Sequence, residues 1–389
     1  MKTLKALVTG SGGLIGSECV RLLGEENWDV IGIDNNMRQA FFGDGGSTVG
    51  NTKRLKASVP RFRHYPLDIR DRQSVRALIQ RERPHFIIHA AAQPSHDKAA
   101  SIPYLDFDVN AVGTMNILVA ARDFCPESPI CFTSTNKVYG DRPNHLPLVE
   151  REERFDYADG RDGIDESMSI DQCLHSLFGA SKVSADISCQ EFGRYFGSPI
   201  GIFRGGCLTG PQHAAVELHG YLAYIVMCSL AGKLYTIHGY KGKQVRDQIH
   251  CRDVARLFLE FFRNPRCGEV YNLGGGRQNS VSILETIRLL QNRGFELNYR
   301  YDATNRIGDH ICYISDLAKI HSHFPGWKLE YDLNRILDEI IEQQCVLQRA
   351  SVSAGPTALS KWGKLSQVFT QKYPPVTTTD TFQPKKEPA

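Results

Sequence analysis

Hydrophobic positions along the first 35 residues change period twice. Leu4-Lys-Ala-Leu-Val8 is a short β-rich run that ends in Thr9-Gly10. After the glycines, Ile15, Cys19, Leu22 and Leu23 recur at i, i+4, i+7 and i+8, the apolar stripe of a helix. Val30-Ile-Gly-Ile-Asp34 then predicts a second strand. Unbroken apolar runs follow at Phe86-Ile-Ile-His89, Ile130-Cys-Phe132 and Ile200-Gly-Ile-Phe203. Helical segments over 74–81, 114–122 and 181–196 lie between and after them. Strands that are apolar along their whole length are buried on both faces, so this alternation predicts a parallel sheet with helices on either side. The fold class is α/β, a doubly wound parallel sheet.

After about residue 205 the rhythm changes. Gly205-Gly206 and Gly210-Pro211 precede a long apolar stretch from Gly220 to Leu230, then a short strand, Leu234 to His238, and a helix, Asp253 to Phe262. Gly268-Glu-Val-Tyr-Asn-Leu273 reads as a strand returning to the main sheet. The expected organisation is a main domain over 1–204, completed by a returning segment at about 252–280. A smaller α/β lobe over 205–345 is interleaved with it. Residues 346–389 carry Ser, Thr, Pro and Lys with little apolar pattern and read as a mobile tail.

Composition narrows the classes. A chain of 389 residues holds one large or two modest domains at about 100–200 residues each. Its 41% hydrophobic and 23% charged content is that of an ordinary globular protein. No apolar run approaches the ~20 residues that span a bilayer, so no membrane partner is expected. A formal charge of +3 gives no case for nucleic acid, so basic groups that matter are local. The 11 cysteines are odd in number, scattered and without C-x-x-C spacing, which fits a reducing compartment. The opening residues run straight into a strand rather than a signal peptide, and the expected location is cytoplasmic.

Gly10, Gly13 and Gly16 form G-x-x-G-x-x-G between the first strand and the first helix, and Asp34 follows Gly16 by 18 residues. Such glycines let backbone approach a pyrophosphate lying on a helix N-terminus, and the acidic residue takes the ribose hydroxyls. Asp34 would repel a 2'-phosphate, which favours NAD over NADP.

From this point the chain resembles the extended short-chain dehydrogenase/reductase family of nucleotide-sugar epimerases and dehydratases, over roughly residues 3 to 320. The landmarks are Asp68-Ile69, His89-Ala-Ala-Ala92, Asn110-Ala-Val-Gly-Thr114, Val138-Tyr-Gly140, Arg246-Asp247, Asn272-Leu-Gly274 and Arg306-x-x-Asp309. The resemblance implies a Rossmann cofactor domain and NAD held by Gly10, Gly13, Leu14, Ile15, Gly16, Asp34, Asn35, Asp68, Ile69, Ala90, Ala91, Ala92, Asn110, Thr133 and Lys182. It implies a nucleotide-sugar substrate met by Thr135, Tyr235, Arg246, Arg306 and Asp309, and a homodimer or homotetramer.

The string Thr133-Ser-Thr-Asn-Lys-Val-Tyr-Gly140 resembles the CDP-paratose 2-epimerase branch. There the resemblance makes Thr135 the catalytic hydroxyl and implies oxidation and re-reduction at sugar C2. The 4,6-dehydratases carry Asp-Glu directly after that Thr, where this chain has Asn136 and Lys137, so dehydration lacks its proton-transfer pair. One departure matters. The family's catalytic Tyr-x-x-x-Lys is Phe178-Gly-Ala-Ser-Lys182 here, and general acid–base help of this kind is worth ~10²–10⁴ in rate. His175 is the nearest side chain that titrates near neutral pH, read either as a substitute base or as a surface or structural histidine.

Two readings stay open on these residues: an NAD-dependent nucleotide-sugar 2-epimerase, and an NAD-binding relative that does not turn over. A dehydrogenase or decarboxylase on a related sugar nucleotide is a third. No metal is expected. His85 and His89 are four residues apart on a strand, ~13 Å, too far to share an ion. His96, His213, His219 and His238 show no ligand spacing. Lys241 to Lys243 reads as a solvated basic turn.

Overall fold

The computed structural model describes residues 3–214, 216, 220–306 and 308–352, without side chains beyond 347. Seven strands form the main sheet: β1 (Lys5–Thr9), β2 (Asp29–Ile33), β3 (Phe62–Tyr65), β4 (Phe86–His89), β5 (Ile130–Thr135), β6 (Ile200–Gly205) and β7 (Glu269–Leu273). Their order is β7-β6-β5-β4-β1-β2-β3, and every neighbouring pair is parallel. The strand order reverses between β1 and β4, the place where open α/β sheets leave a crevice at the strands' carboxyl ends. This is the doubly wound sheet expected from the apolar runs.

Helix α1 (Leu14–Glu25) follows β1, α2 (Arg72–Glu82) follows β3, and α3 (Gly113–Phe124) and α4 (Ser176–Phe196) flank β5. One face of the sheet packs Ala6 and Val8 of β1 against Ile15, Cys19 and Leu23 of α1 and the apolar side of the helix Cys251–Arg263. The other face packs Leu7, Ile31, Ile87 and Ile130 against Val75, Leu78 and Ile79 of α2, Ile117 of α3 and Ala185 of α4. Alternate residues of one strand thus serve opposite layers, as the period of two requires.

Three elements differ from the sequence expectation. Strand β3, Phe-Arg-His-Tyr, buries only Phe62 well, because it is the sheet's edge. Its weak apolar signal hid it. Helix α4 begins at Ser176, five residues earlier than its periodicity indicates, so Phe178 and Lys182 share one helix. The helix Leu333–Val352 continues into the segment expected to be a tail, and residues 353–389 of that tail lie outside the described residues. The chain divides into compact units of 1–344 and 345–389.

A smaller sheet gathers around Val245–His250, which pairs with Ser280–Ser282, Cys312–Tyr313 and Cys207–Thr209. Tyr235–His238 pairs in parallel with Tyr299–Asp302. Lys241 and Lys243 of the basic turn both reach the Glu150 carboxylate, at 3.0 and 2.7 Å.

A buried ion pair ties α4 to the sheet. The Arg204 guanidinium on β6 donates two bonds to the Asp186 carboxylate on α4, at 2.9 and 3.1 Å. Ser134 on β5 and Gln190 donate to the same carboxylate at 2.6 and 2.7 Å. Asp186 is 1% exposed, so losing it strands a buried cation. Asp186→Ala is expected to destabilise the fold by about 3–5 kcal/mol in denaturant titration. A loss under about 1 kcal/mol contradicts this account of the helix anchor.

Candidate active site

One cleft crosses the carboxyl ends of β1, β2, β4 and β5 and continues to the smaller sheet. At its first end, Gly10 has φ +67°, and a Cβ there would lie 2.8 Å from the Ala91 nitrogen. A Cβ on Gly16 would lie 2.1 Å from the Gly10 carbonyl oxygen, so α1 can meet the turn this closely only with glycine there. The turn therefore presents bare backbone to the cleft. Asp34 stands just past β2, its carboxylate accepting from the Gly12 and Asn36 nitrogens at 2.9 and 2.8 Å and from the Thr48 hydroxyl at 2.9 Å. A carboxylate offers about four acceptor positions, and three are filled here, which leaves one for a ligand hydroxyl. Asn35 donates to Asp68 at 3.1 Å, and Arg70 pairs with the same carboxylate at 2.7 Å.

In the middle of the cleft, Lys182 and Phe178 project from α4 toward the end of β5. The Lys182 ammonium donates to the Thr133 carbonyl at 2.8 Å and lies 4.3 Å from the centre of the Phe132 ring. Burial lowers its pKa to about 8. The Thr133 hydroxyl is buried with no hydrogen-bond partner, and the Thr135 hydroxyl accepts from the Lys137 backbone N–H at 3.2 Å. Phe178 is 7% exposed and offers a ring with no proton to exchange.

At the far end the charges are interlocked. Arg246 donates to Asp309 at 2.6 Å, and Arg306 pairs with Asp97 and lies 3.3 Å from the His96 Nε2. Lys137 donates to the Gly308 carbonyl at 2.7 Å and lies 3.6 Å from Asp309. Burial raises the Asp309 pKa, but Arg246, Lys137 and Arg306 outweigh it and hold the carboxyl far below its usual range. Tyr235 completes this wall, its phenol pushed up by burial.

The residues given a catalytic, cofactor or substrate role in the sequence all line this cleft except Asn110 and His175. Asn110 sits in a π-helical turn, Asp108–Val112, and is fully buried. It donates to Asp106 and Ser181 at 3.2 and 3.1 Å and accepts from the Gln93 N–H at 3.0 Å. Its work is to tie α4 to the loop after β4, one shell away from the cleft. His175 precedes α4 with Nε2 at 2.7 Å from the Ile170 carbonyl and Nδ1 at 3.5 Å from the Lys137 carbonyl. The structure does not bring its ring to Phe178's side of the cleft.

Conversely, His96, Lys137, Gln244 and Gln248 line the cleft although sequence spacing did not single them out as site residues. Lys137 was legible in the string after Thr135, whereas His96 carries no signal until the loop after β4 folds back. His89 is structural, bonded to Thr9 at 2.7 Å and Thr114 at 2.9 Å, and burial lowers its pKa to about 3. Among the described residues no cluster of three His, Cys, Asp or Glu could hold a metal. His219 lies outside them.

The first end of the cleft fits a dinucleotide. A Cβ would fill the Gly10 and Gly16 approaches, Asp34 keeps an open acceptor position, and the Thr133 hydroxyl lacks a partner. Comparison with known proteins agrees. Residues 6–274 match the NAD dependent epimerase/dehydratase family. A CDP-paratose 2-epimerase from Salmonella typhi is 31% identical over 329 residues, covering 82% of this chain and 92% of that protein. A dTDP-glucose 4,6-dehydratase from Escherichia coli is 28% identical over 352 residues, covering 83% and 89%. Among solved structures, UDP-glucose 4-epimerase from Stenotrophomonas maltophila, with bound NAD and formylated UDP-arabinopyranose, is 25% identical with a TM-score of 0.72, covering 89% of this chain and 99% of its own. UDP-glucuronic acid 4-epimerase from Bacillus cereus, in complex with UDP-glucuronic acid and NAD, is 22% identical with a TM-score of 0.72, covering 88% and 100%. The chain belongs to the NAD-dependent epimerase/dehydratase family, with NAD as its cofactor.

Proposed function

We propose that this enzyme is a nucleotide-sugar 2-epimerase acting on a CDP-sugar, by transient oxidation and re-reduction at sugar C2. The observation that carries this reading is the pair Asn136 and Lys137 beside Thr135 in the cleft. Neither supplies the carboxyl groups that eliminate water, while the residues expected to hold cofactor and reacting oxygen remain together. The likeness to a CDP-paratose 2-epimerase supports the choice of sugar carbon and nucleotide.

In this reading, Gly10, Gly13 and Gly16 admit the pyrophosphate and Asp34 accepts a ribose hydroxyl. Lys182 orients the nicotinamide ribose from beneath Phe178. When bound, NAD supplies a reversible hydride store. Thr135 hydrogen-bonds the reacting sugar oxygen, and Arg246 and Arg306 bind the diphosphate, where planar guanidinium groups can bridge two oxygens. Residues 1–204 with 252–280 form the cofactor domain, and 205–345 form the interleaved substrate lobe. A homodimer or homotetramer belongs to this reading. The number and scatter of its cysteines support a cytoplasmic location. Among the described residues no helix is long and apolar enough to cross a membrane.

Phe178 supports a second reading, an NAD-binding relative without turnover. Incubation with CDP-, UDP- and GDP-sugars separates the readings. Inversion at C2 without net reduced cofactor is expected for a CDP-sugar. Net reduction of NAD would indicate a dehydrogenase or decarboxylase, and no conversion would favour the silent relative.

Asp34→Ala is expected to weaken NAD binding and relax discrimination against NADP. Equal wild-type affinities for the two cofactors in titration would overturn the role given to Asp34. Arg246→Leu and Arg306→Leu should each weaken sugar-nucleotide binding about 10–150-fold in calorimetry and leave NAD affinity unchanged. A matching loss for NAD would assign these arginines to the fold or the cofactor instead.

A further inference from the structure

The reaction proposed above moves a proton as well as a hydride, and Phe178 cannot carry it. Several titratable side chains in the cleft are already committed. Asp34 and Asp68 are occupied at the dinucleotide end. His96 places Nδ1 at 3.3 Å from Asp97 and Nε2 at 3.3 Å from the Arg306 guanidinium, so both nitrogens have charged neighbours. Lys182 spends an N–H on the Thr133 carbonyl and stands over the Phe132 ring. Arg246 and Arg306 are paired with Asp309 and Asp97.

Lys137 is placed differently. It lies on the short turn that begins at Thr135, and its own backbone N–H donates to the Thr135 hydroxyl at 3.2 Å. Its carbonyl packs on the first turn of α4, where a Cβ on Gly179 would be 3.0 Å away, next to Phe178. The side chain is 15% exposed and lines the cleft. A neutral amine has two N–H donors and one lone pair. The Gly308 carbonyl at 2.7 Å takes one donor, and the Asp309 carboxylate stands 3.6 Å away as an ionic neighbour beyond hydrogen-bond reach. One donor and the lone pair are left for a ligand in the cleft.

We propose that Lys137 is the proton carrier of this active site, its Nζ accepting the proton of the reacting sugar hydroxyl and returning it after reduction. In the oxidative half, the C2–H bond breaks with its electron pair leaving to the cofactor. The O–H bond breaks, its proton forms the new N–H bond at Nζ, and C2 and oxygen form a double bond. The keto sugar would then turn its other face to the cofactor. Hydride return to that face, with the proton handed back from Nζ to oxygen, restores the alcohol with the opposite configuration. The role rests on the epimerase reading. Its electrostatics agree, since burial lowers the Lys137 pKa to about 8. Asp309 opposes that shift, while Arg246 from the strand Val245–His250 and Arg306 reinforce it. Cys207, His96 and His310 are the other titratable groups that feel this amine.

The test uses the full chain with NAD and the CDP-sugar. Lys137→Met is expected to lower turnover by ~10²–10⁴, with NAD and sugar-nucleotide dissociation constants within about threefold of wild type by calorimetry. Retained NAD affinity shows that the variant is folded. Lys137→Arg should lose as much, because a guanidinium does not give up its proton. Adding Phe178→Tyr to Lys137→Met should recover at least about tenfold, by supplying a phenol in the amine's stead. Wild-type turnover should rise as pH passes the Lys137 pKa, and that limb should vanish or move in the double variant. Turnover of Lys137→Met within about tenfold of wild type overturns the proposal. So does a fall in sugar-nucleotide affinity large enough to account for the lost rate, which would make Lys137 a phosphate ligand. Inversion that survives in Lys137→Met sinks this role alone. Absence of inversion in the wild type sinks the epimerase reading and this role together.

Discussion

The Asp186–Arg204 ion pair is the constraint on which the rest of the cleft depends. Two charges out of water are tolerated only when every lone pair and proton is used, and here the carboxylate receives four bonds. Asp186 lies one helical turn after Lys182, and Lys182 one turn after Phe178, so the pair sets the height and rotation of that whole face of α4. Ser134 brings β5 into the same network, which places the Lys182 ammonium on the Thr133 carbonyl of that strand. Tyr139 extends the tie. Arg204 stacks 5.0 Å from its ring centre, and its hydroxyl donates to Asn272 on β7 at 2.7 Å. Helix, three strands and the turn after Thr135 are thus one polar unit beneath the cleft floor.

At the far end, the chain keeps its cations in place before any ligand arrives. Asp309 and Asp97 hold Arg246 and Arg306 by ion pairs, so both guanidiniums are fixed by the protein itself. Among the described residues, the three basic side chains Arg246, Arg306 and Lys137 have two carboxylates beside them, Asp309 and Asp97. The local excess is positive although the whole chain is close to neutral. The amine's protonation therefore depends on how the surrounding charges are balanced.

Several family landmarks turn out to be structural. Val138-Tyr-Gly140 and Asn272-Leu-Gly274 meet each other through the Tyr139–Asn272 bond. Asn110 and Asp106 hold Ser181, and His89 joins β1 to α3 through Thr9 and Thr114. Motif matching finds such residues as readily as ligand-binding ones, because both belong to fixed positions of the same fold. Geometry separates them: these side chains are saturated by protein partners, whereas the Thr133 hydroxyl and one position on Asp34 are not.

The sequence by itself determined the sheet, the helices packed on it and the glycine turn. Buried parallel strands leave uninterrupted apolar runs, and backbone that meets backbone leaves glycine, so both are local signals. It also pointed to much of the cleft wall, since Asp68, Ala90, Arg246, Arg306 and Asp309 do line it. The edge strand β3 escaped because only Phe62 of its four side chains is fully buried. Only the tertiary structure decided which residues face the cleft and which support it. His175 is near Phe178 in sequence, yet the backbone entering α4 turns its ring to the Ile170 carbonyl. Lys137 and Asp309 are 172 positions apart and meet across the cleft. Such long-range pairing fixes protonation and charge balance, and no local pattern of residues encodes it.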